Sequence, residues 1–180
     1  METNDVIRTI LARRSIRSFR KDLPVEPAKR DALLACACAA PSAHNRQPCR
    51  FLVLEDRVLL DRLAAELRQG FLYEQVPLAI AVCADLREYP EGSYGWLEDC
   101  AAAMENMLIA AKSLGLEALW FGVYRRAPKE QTVRQILELP DYVEVQGIAV
   151  VGYGSESKEP RNEADPSKIS YGCWKEKGYA

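Results

Sequence analysis

Apolar residues recur at helical spacing at the start of the chain. In DVIRTILARR, Val6, Ile7, Ile10 and Leu11 share one stripe, which predicts a helix. The pattern breaks in RSIRSFRKDLP, which reads as extended. VEPAKRDALLACACAAP opens with Pro27 near a helix start and stops at Pro41, a second helix. SAHNRQPCR is a polar loop. FLVLE, Phe51–Glu55, is a short strand, and RVLLDRLAAELRQ is a helix with leucines at helical spacing. The continuous apolar run VPLAIAVCAD, Val76–Asp85, predicts a strand buried on both faces. LREYPEGSYG carries Pro90, Gly92 and Gly95 and reads as a loop.

The longest predicted helix is WLEDCAAAMENMLIAAKSLGL, closed by Gly115 after Lys112. It is rich in alanine and apolar on more than one face, which places it centrally. EALWFGV follows as a strand, then APKEQTVRQILEL as a helix with Pro128 in its first turn and Pro140 as its stop. VQGIAVVGYG is the last strand. From Ser155 the chain is polar, carries Pro160 and Pro166, and is too long for a plain loop, so it is expected to wrap something. Helices and strands alternate without the strict order of a doubly wound sheet, so the class is α+β, a mixed α/β arrangement in one domain over residues 1–180. The glycine-rich dinucleotide fingerprint is missing: GLEALWFG does not follow a strand and open a helix.

Composition narrows the partners. With 48% hydrophobic and 28% charged residues in 180, the chain is ordinary globular protein. Its net charge of −2 gives no overall field toward nucleic acid or an anionic membrane. No apolar run approaches the roughly 18 residues of a membrane span. METNDVIRTI holds two acids and no long apolar stretch, unlike a signal peptide, so a cytoplasmic protein is expected. In that compartment the six cysteines read as reduced core thiols. Cys36 and Cys38 point to different sides of a helix, His44 is the only histidine and there is no CxxC, so no metal site is expected.

Against that balance, ARRSIRSF is a local concentration of positive charge. In extended chain, Arg13, Ser15 and Arg17 share one side and Arg14, Ile16 and Ser18 the other. Two guanidinium forks around a hydroxyl suit a phosphate; a solvated basic face is the other reading. A second group is APSAHNRQPCRF, where Ser42, Asn45 and Gln47 bring hydroxyl and amide groups that suit the alternating edge of a heterocycle, or serve only as turn and cap residues. A third is GLEALWFGV. Trp120 and Phe121 fit a core strand, and Gly122 at its end lets backbone approach a ligand closely.

RRSIRSF, APSAHNRQPCRFLVL, GLEALWFG and GIAVVGYG with KEPRNEADPSKISYGCW follow one another in the order and spacing of a known family. Together they resemble the flavin-dependent nitroreductases in their short-chain form, across essentially the whole chain. The resemblance implies an α+β fold with a mixed, mostly antiparallel central sheet flanked by helices. It also implies an intertwined homodimer with exchanged C-terminal tails and FMN between subunits. It implies that Arg13, Ser15 and Arg17 hold the FMN phosphate, with Arg14 contributing through its backbone or toward the pyrimidine side. Pro41, Ser42, Asn45 and Gln47 match the loop at the ring and ribityl chain. Gly122, with Phe121 beside it, matches the strand end whose backbone faces flavin N5. Arg161 matches a late basic residue at the phosphate, although Asn162, Glu163 and Ala164 follow where the family carries more basic residues. His44, Tyr94 and Trp96 lie in segments that could border the ring face where substrate stacks. The implied activity is NAD(P)H-dependent reduction of nitroaromatic, quinone or related small acceptors. Hydride passes in ping-pong order through flavin N5, with no protein acid or base required. A non-catalytic flavin-binding or storage protein would share the phosphate residues.

Overall fold

The computed structural model describes residues 2–69, 75–90, 92–161 and 164–174. Helix α1 (Asp5–Ala12) starts where Asn4 Oδ1 accepts a hydrogen bond from the Ile7 backbone N–H at 2.9 Å. Helix α2 (Pro27–Cys38) begins on a proline, whose missing N–H has no helical partner to lose. Strand β1 (Cys49–Leu54) leads to α3 (Arg57–Glu66), capped by Asp56, whose carboxylate accepts from Leu59 N at 2.8 Å. Strand β2 (Leu78–Asp85) precedes the long α4 (Gly95–Ser113). That helix ends at Gly115 with φ of +74°, the left-handed conformation expected after a helix. Strand β3 (Glu117–Gly122), α5 (Lys129–Ile136) and β4 (Val143–Gly152) follow. Short 3₁₀ turns occupy Ala43–Asn45, Leu86–Glu88 and Pro166–Lys168.

The four strands lie in the order β1-β2-β4-β3, every neighbour antiparallel. The parallel component expected of the sheet is an isolated bridge, Ser15 to Ala118, which lays the RRSIRSF segment along the free edge of β3. All eight residues of β2 are buried, as its unbroken apolar run predicts. Ala79, Ala81 and Cys83 face Leu60, Leu63, Val133 and Ile136 of α3 and α5. Ile80 and Val82 face Leu33 of α2 and Cys100, Met104 and Met107 of α4. Helix α4 is thus central, with nine buried residues spread beyond one stripe.

On β4 the period of two slips once. Val82 pairs with Gly147 but Cys83 pairs with Val145, so Gln146 is the extra residue of a bulge. The slip keeps Val143 and Val145 on the same side as Ile148 and Val150. Beside it, Gly147 has no room for a side chain. A Cβ there would stand 2.7 Å from Trp120 Nε1 and 2.9 Å from the Phe121 carbonyl oxygen.

The tail closes on the N-terminal segment of its own chain. Gly154 bridges Phe19, the Ser155 N–H donates to the Ser18 carbonyl at 2.9 Å, and the Arg161 N–H donates to the Leu11 carbonyl at 3.0 Å. Residues 154–161 therefore run back along residues 11–19, which gives the expected wrapping a first, internal object. All six cysteines are free, but core placement holds only for Cys83 and Cys100. Cys38 and Cys173 are exposed. On α2 the inward position is Ala37, so the 100° turn to the next residue aims Cys38 outward. Among the described residues no helix is long and apolar enough to cross a membrane, and no group of metal-ligating side chains converges.

Candidate functional site

Two clusters form, and α4 touches both. The first gathers at the end of α1, where the chain leaves the helix as extended backbone at Arg13. Ile16, facing inward, is almost fully buried, and its N–H donates to the Ala118 carbonyl at 3.2 Å. That anchor turns the alternate residues Arg13, Ser15 and Arg17 the other way. The Arg13 guanidinium pairs with Glu105 of α4 at 3.2 Å. The Arg14 guanidinium donates to the Glu159 carbonyl oxygen. No side-chain partner is recorded for the Arg17 guanidinium among the described residues, whereas Arg20, just beyond, is engaged with Asp22 at 2.9 Å.

The returning tail adds charge that sequence reasoning missed. Lys158 Nζ donates to the Ser15 carbonyl at 2.6 Å and stands 3.6 Å from a Glu156 carboxylate oxygen. Glu156 also accepts the Arg17 backbone N–H at 2.6 Å. That backbone hydrogen bond, helped by Lys158, holds the Glu156 carboxyl below its ordinary range. An anion is therefore already stabilised beside Arg17. Arg161 is tied to α1 by its backbone, so its exposed side chain belongs to the same end of the molecule. Arg13, Arg14, Ser15 and Arg17 thus lie on one segment with Glu156 and Lys158 against it, and Arg161 stands at its Leu11 end.

The second cluster is the loop from Pro41 to Gln47. Its residues His44, Asn45 and Gln47 all have φ near +50°, an uncommon state for side chains with a Cβ. The Ser42 hydroxyl accepts the Gln47 N–H at 2.9 Å, which closes the loop. The holding group is Asp99, in the first turns of α4 and only 5% exposed. One of its carboxylate oxygens accepts the Ala43 N–H at 2.9 Å and the other accepts the Tyr89 hydroxyl. Burial, and donation to Asp99, push the Tyr89 hydroxyl well above the ordinary tyrosine range. Asp99 was missed in the sequence, yet a signal exists. It lies three residues after Trp96 and four before Ala103, on the inward stripe, while its neighbour Glu98 is exposed. A cavity of about 280 Å³ opens beside this loop, walled by Cys38, Pro41, Ser42, Gln47, Cys49 and Arg50.

The end of β3 lies between these clusters in the chain. The Phe121 side chain is buried on the α3–α5 side with Lys129 Nζ 5.3 Å from its ring centre, so only its backbone is available at the strand end. Gly122 pairs with Gly147, and a Cβ on Gly122 would stand 3.0 Å from the Arg126 guanidinium carbon. Tyr94 is exposed, and its hydroxyl accepts from Arg125 at 3.4 Å. His44 is exposed. Trp96 is a core side chain, packed edge-on against Tyr124 with ring centres 4.9 Å apart. Along α4, Glu105, which holds Arg13, lies six positions after Asp99, which holds the loop, about 9 Å of helix rise.

The comparisons with known proteins agree with one another. The model of the nitroreductase family matches residues 10–98 and 66–153. A candidate NADH dehydrogenase/NAD(P)H nitroreductase of Archaeoglobus fulgidus is 34% identical over 175 residues, which cover 94% of this chain and 99% of the relative. An FMN-dependent nitroreductase of Clostridium difficile superposes with a TM-score of 0.84 at 28% identity, over 92% of this chain and 98% of that one. A candidate nitroreductase of Desulfovibrio desulfuricans, solved in complex with FMN, does so with a TM-score of 0.81 at 28% identity, over 97% of this chain and 100% of that one. Taken with the α+β fold and the two clusters, these matches have one reading: the chain belongs to the nitroreductase family.

Proposed function

We propose that this protein is an FMN-dependent NAD(P)H oxidoreductase that reduces nitroaromatic, quinone or related small electron acceptors. The observation that supports it best is the row beside β3. Arg17 presents a guanidinium without a side-chain partner among the described residues, on the same segment as Ser15, whose carbonyl Lys158 reaches, while Arg161 pairs at the Leu11 end of that segment. That donor set fits a terminal phosphate, with the Glu156 carboxylate beside it held by the Arg17 backbone N–H and Lys158. Gly122 leaves the backbone at the end of β3 without a side chain of its own, and the Arg126 guanidinium that lies over it would move aside for a flat ring.

Bound FMN supplies reversible two-electron chemistry, from NAD(P)H and on to the acceptor. In this reading Arg13, Arg14, Ser15, Arg17 and Arg161 bind the phosphate end, and Lys158 adds to their charge. Pro41, Ser42, Asn45 and Gln47 line the ring and ribityl chain. Gly122, with the Phe121 backbone, lets the strand end meet the ring, and His44 and Tyr94 border the face where substrates stack. Trp96 acts behind that face by fixing Tyr124. No side chain is required to donate or accept a proton in the transfer.

The working unit is proposed as a homodimer with FMN between subunits and the tails exchanged. An apolar cavity of about 490 Å³ lies between α1, α2 and α4, lined by Val6, Ile10, Ile109 and Ala110. Val6 is 63% exposed, and Trp174 in the tail is 87% exposed. A partner chain is the proposed cover for both. Protein denatured after saturation with FMN and washing should release one FMN per chain, and no FAD. Sedimentation of the native protein should give twice the mass of the chain. Release of FAD, or of no flavin at all, would remove the reading.

A further inference from the structure

The region behind the Pro41–Gln47 loop holds three cysteines. Cys49 opens β1, Cys83 lies in β2 and Cys100 lies one residue past Asp99 in α4. The Cys49 and Cys100 sulfurs are 3.7 Å apart. Cys100 is fully buried, while Cys49 is half-buried and forms part of the wall of the 280 Å³ cavity. One member of the pair thus borders the cavity whose Pro41, Ser42 and Gln47 the reading above assigns to FMN, so small solutes reach it when that space is free of flavin, and the other waits behind it. We propose that Cys49 and Cys100 form a reversible disulfide site that reacts with hydrogen peroxide or a small organic hydroperoxide.

The two thiols are not equivalent. Hydrogen bonding from Cys100, with Arg50 nearby, lowers Cys49 below the ordinary cysteine range. The same contact and burial raise Cys100, whose S–H also lies 3.5 Å from the Cys83 carbonyl oxygen. Burial pushes the third thiol, Cys83, up to about 12, and among the described residues the sulfur–sulfur contact is that of Cys49 and Cys100, so Cys83 stays outside the reaction. Cys49, which borders the cavity, is the attacking thiol, and Cys100, buried behind it, is the resolving thiol.

In the first step the Cys49 sulfur attacks one peroxide oxygen. The O–O bond breaks, Cys49 becomes a sulfenic acid and the other oxygen leaves as water with the proton that Cys49 gave up. In the second step the Cys100 sulfur attacks the Cys49 sulfur. The S–O bond breaks, and the departing hydroxide takes the Cys100 proton and leaves as water. The two sulfurs lose one electron each, the two peroxide oxygens gain them, and two waters form from one hydrogen peroxide. Closing from 3.7 Å to the roughly 2 Å of a disulfide needs a shift of about 1.7 Å. The half-buried Cys49, beside open space, can supply it. The bond would join the residue that follows the loop to the neighbour of the carboxylate that holds it.

The test takes the protein once stripped of FMN and once saturated with it, treats both with hydrogen peroxide, clears with catalase, alkylates in denaturant and digests with trypsin without reductant; the results below are those expected without FMN, and bound FMN should slow them. Cys49 falls in the fragment 47–50 and Cys100 in 88–112, while Cys36 and Cys38 share 31–46. Free thiols should fall from six to four per chain, the fragments 47–50 and 88–112 should be linked, and dithiothreitol should restore all six. Cys38→Ser, an exposed change, should leave the linkage intact. Cys100→Ala should leave Cys49 as a sulfenic acid that dimedone traps. The proposal is overturned by Cys49 linked to Cys38, by Cys49 oxidised further while Cys100 stays a free thiol, or by six thiols surviving the peroxide.

Discussion

Asp99→Ala is expected to lower the unfolding free energy by about 2–5 kcal/mol, from about 1–3 kcal/mol for each of the two donors it leaves unsatisfied. The carboxylate is 5% exposed and satisfies two donors at once, the Ala43 N–H and the Tyr89 hydroxyl. Its loss leaves both without an acceptor inside the protein, and an unmade hydrogen bond in a buried site is worse than none designed. For a chain of this size the melting temperature should fall by about 10 °C. Tyr89→Phe, which removes a donor and leaves the acceptor its other bond, should lose about 1–2 kcal/mol. The ordering is the test: if Tyr89→Phe is as damaging as Asp99→Ala, the carboxylate is not what holds the loop. Because three loop residues near +50° in φ depend on that anchor, the Asp99 variant should also bind FMN more weakly than Tyr89→Phe does.

Arg17→Ala is expected to weaken FMN binding about ten- to a hundredfold, the scale of one hydrogen bond to a charged group. Of the two arginines in the row, Arg17 is the one whose guanidinium has no carboxylate partner among the described residues, so the loss is not offset by freeing a carboxylate. Arg13→Ala should have a smaller effect, because Arg13 already pairs with Glu105. Arg20→Ala should leave affinity unchanged, since that guanidinium is occupied by Asp22. At saturating FMN the Arg17 variant should keep most of its reductase rate. Phosphate contacts are the same before and after electron transfer, and uniform binding does not alter the barrier. Equal affinities for the Arg17 and Arg20 variants would return RRSIRSFR to a solvated basic face.

How far these features were legible follows from the kind of signal each carries. The period of two in RSIRS is a local signal, and Ile16 is buried as that alternation requires, with Arg17 beside it exposed. The long apolar run of β2 and the left-handed Gly115 were legible for the same reason. Lys158 and Glu156 were not. They reach the row only because the tail runs back along residues 11–19, and no spacing in the sequence announces that pairing. Asp99 sat in plain view beside Glu98, but the choice between them depends on the rotation of α4 against the sheet. The half-turn that hides Trp96 has the same origin: an aromatic next to a loop looked available, and the helix faced it inward against Tyr124. The proximity of Cys49 to Cys100, 51 residues apart in the chain, is likewise a product of packing α4 on the sheet.

The central claim, that this chain binds FMN and passes electrons through it from a reduced nicotinamide to a small acceptor, is tested most directly by one anaerobic spectrum. The FMN-saturated protein is titrated with NADH and, separately, with NADPH, and the flavin band is followed. At least one of the two should bleach the band at one equivalent per flavin, and a nitroaromatic or quinone added next should restore it without further protein. A band that neither nucleotide bleaches, while dithionite does, would contradict the account and leave a protein that holds flavin without using it.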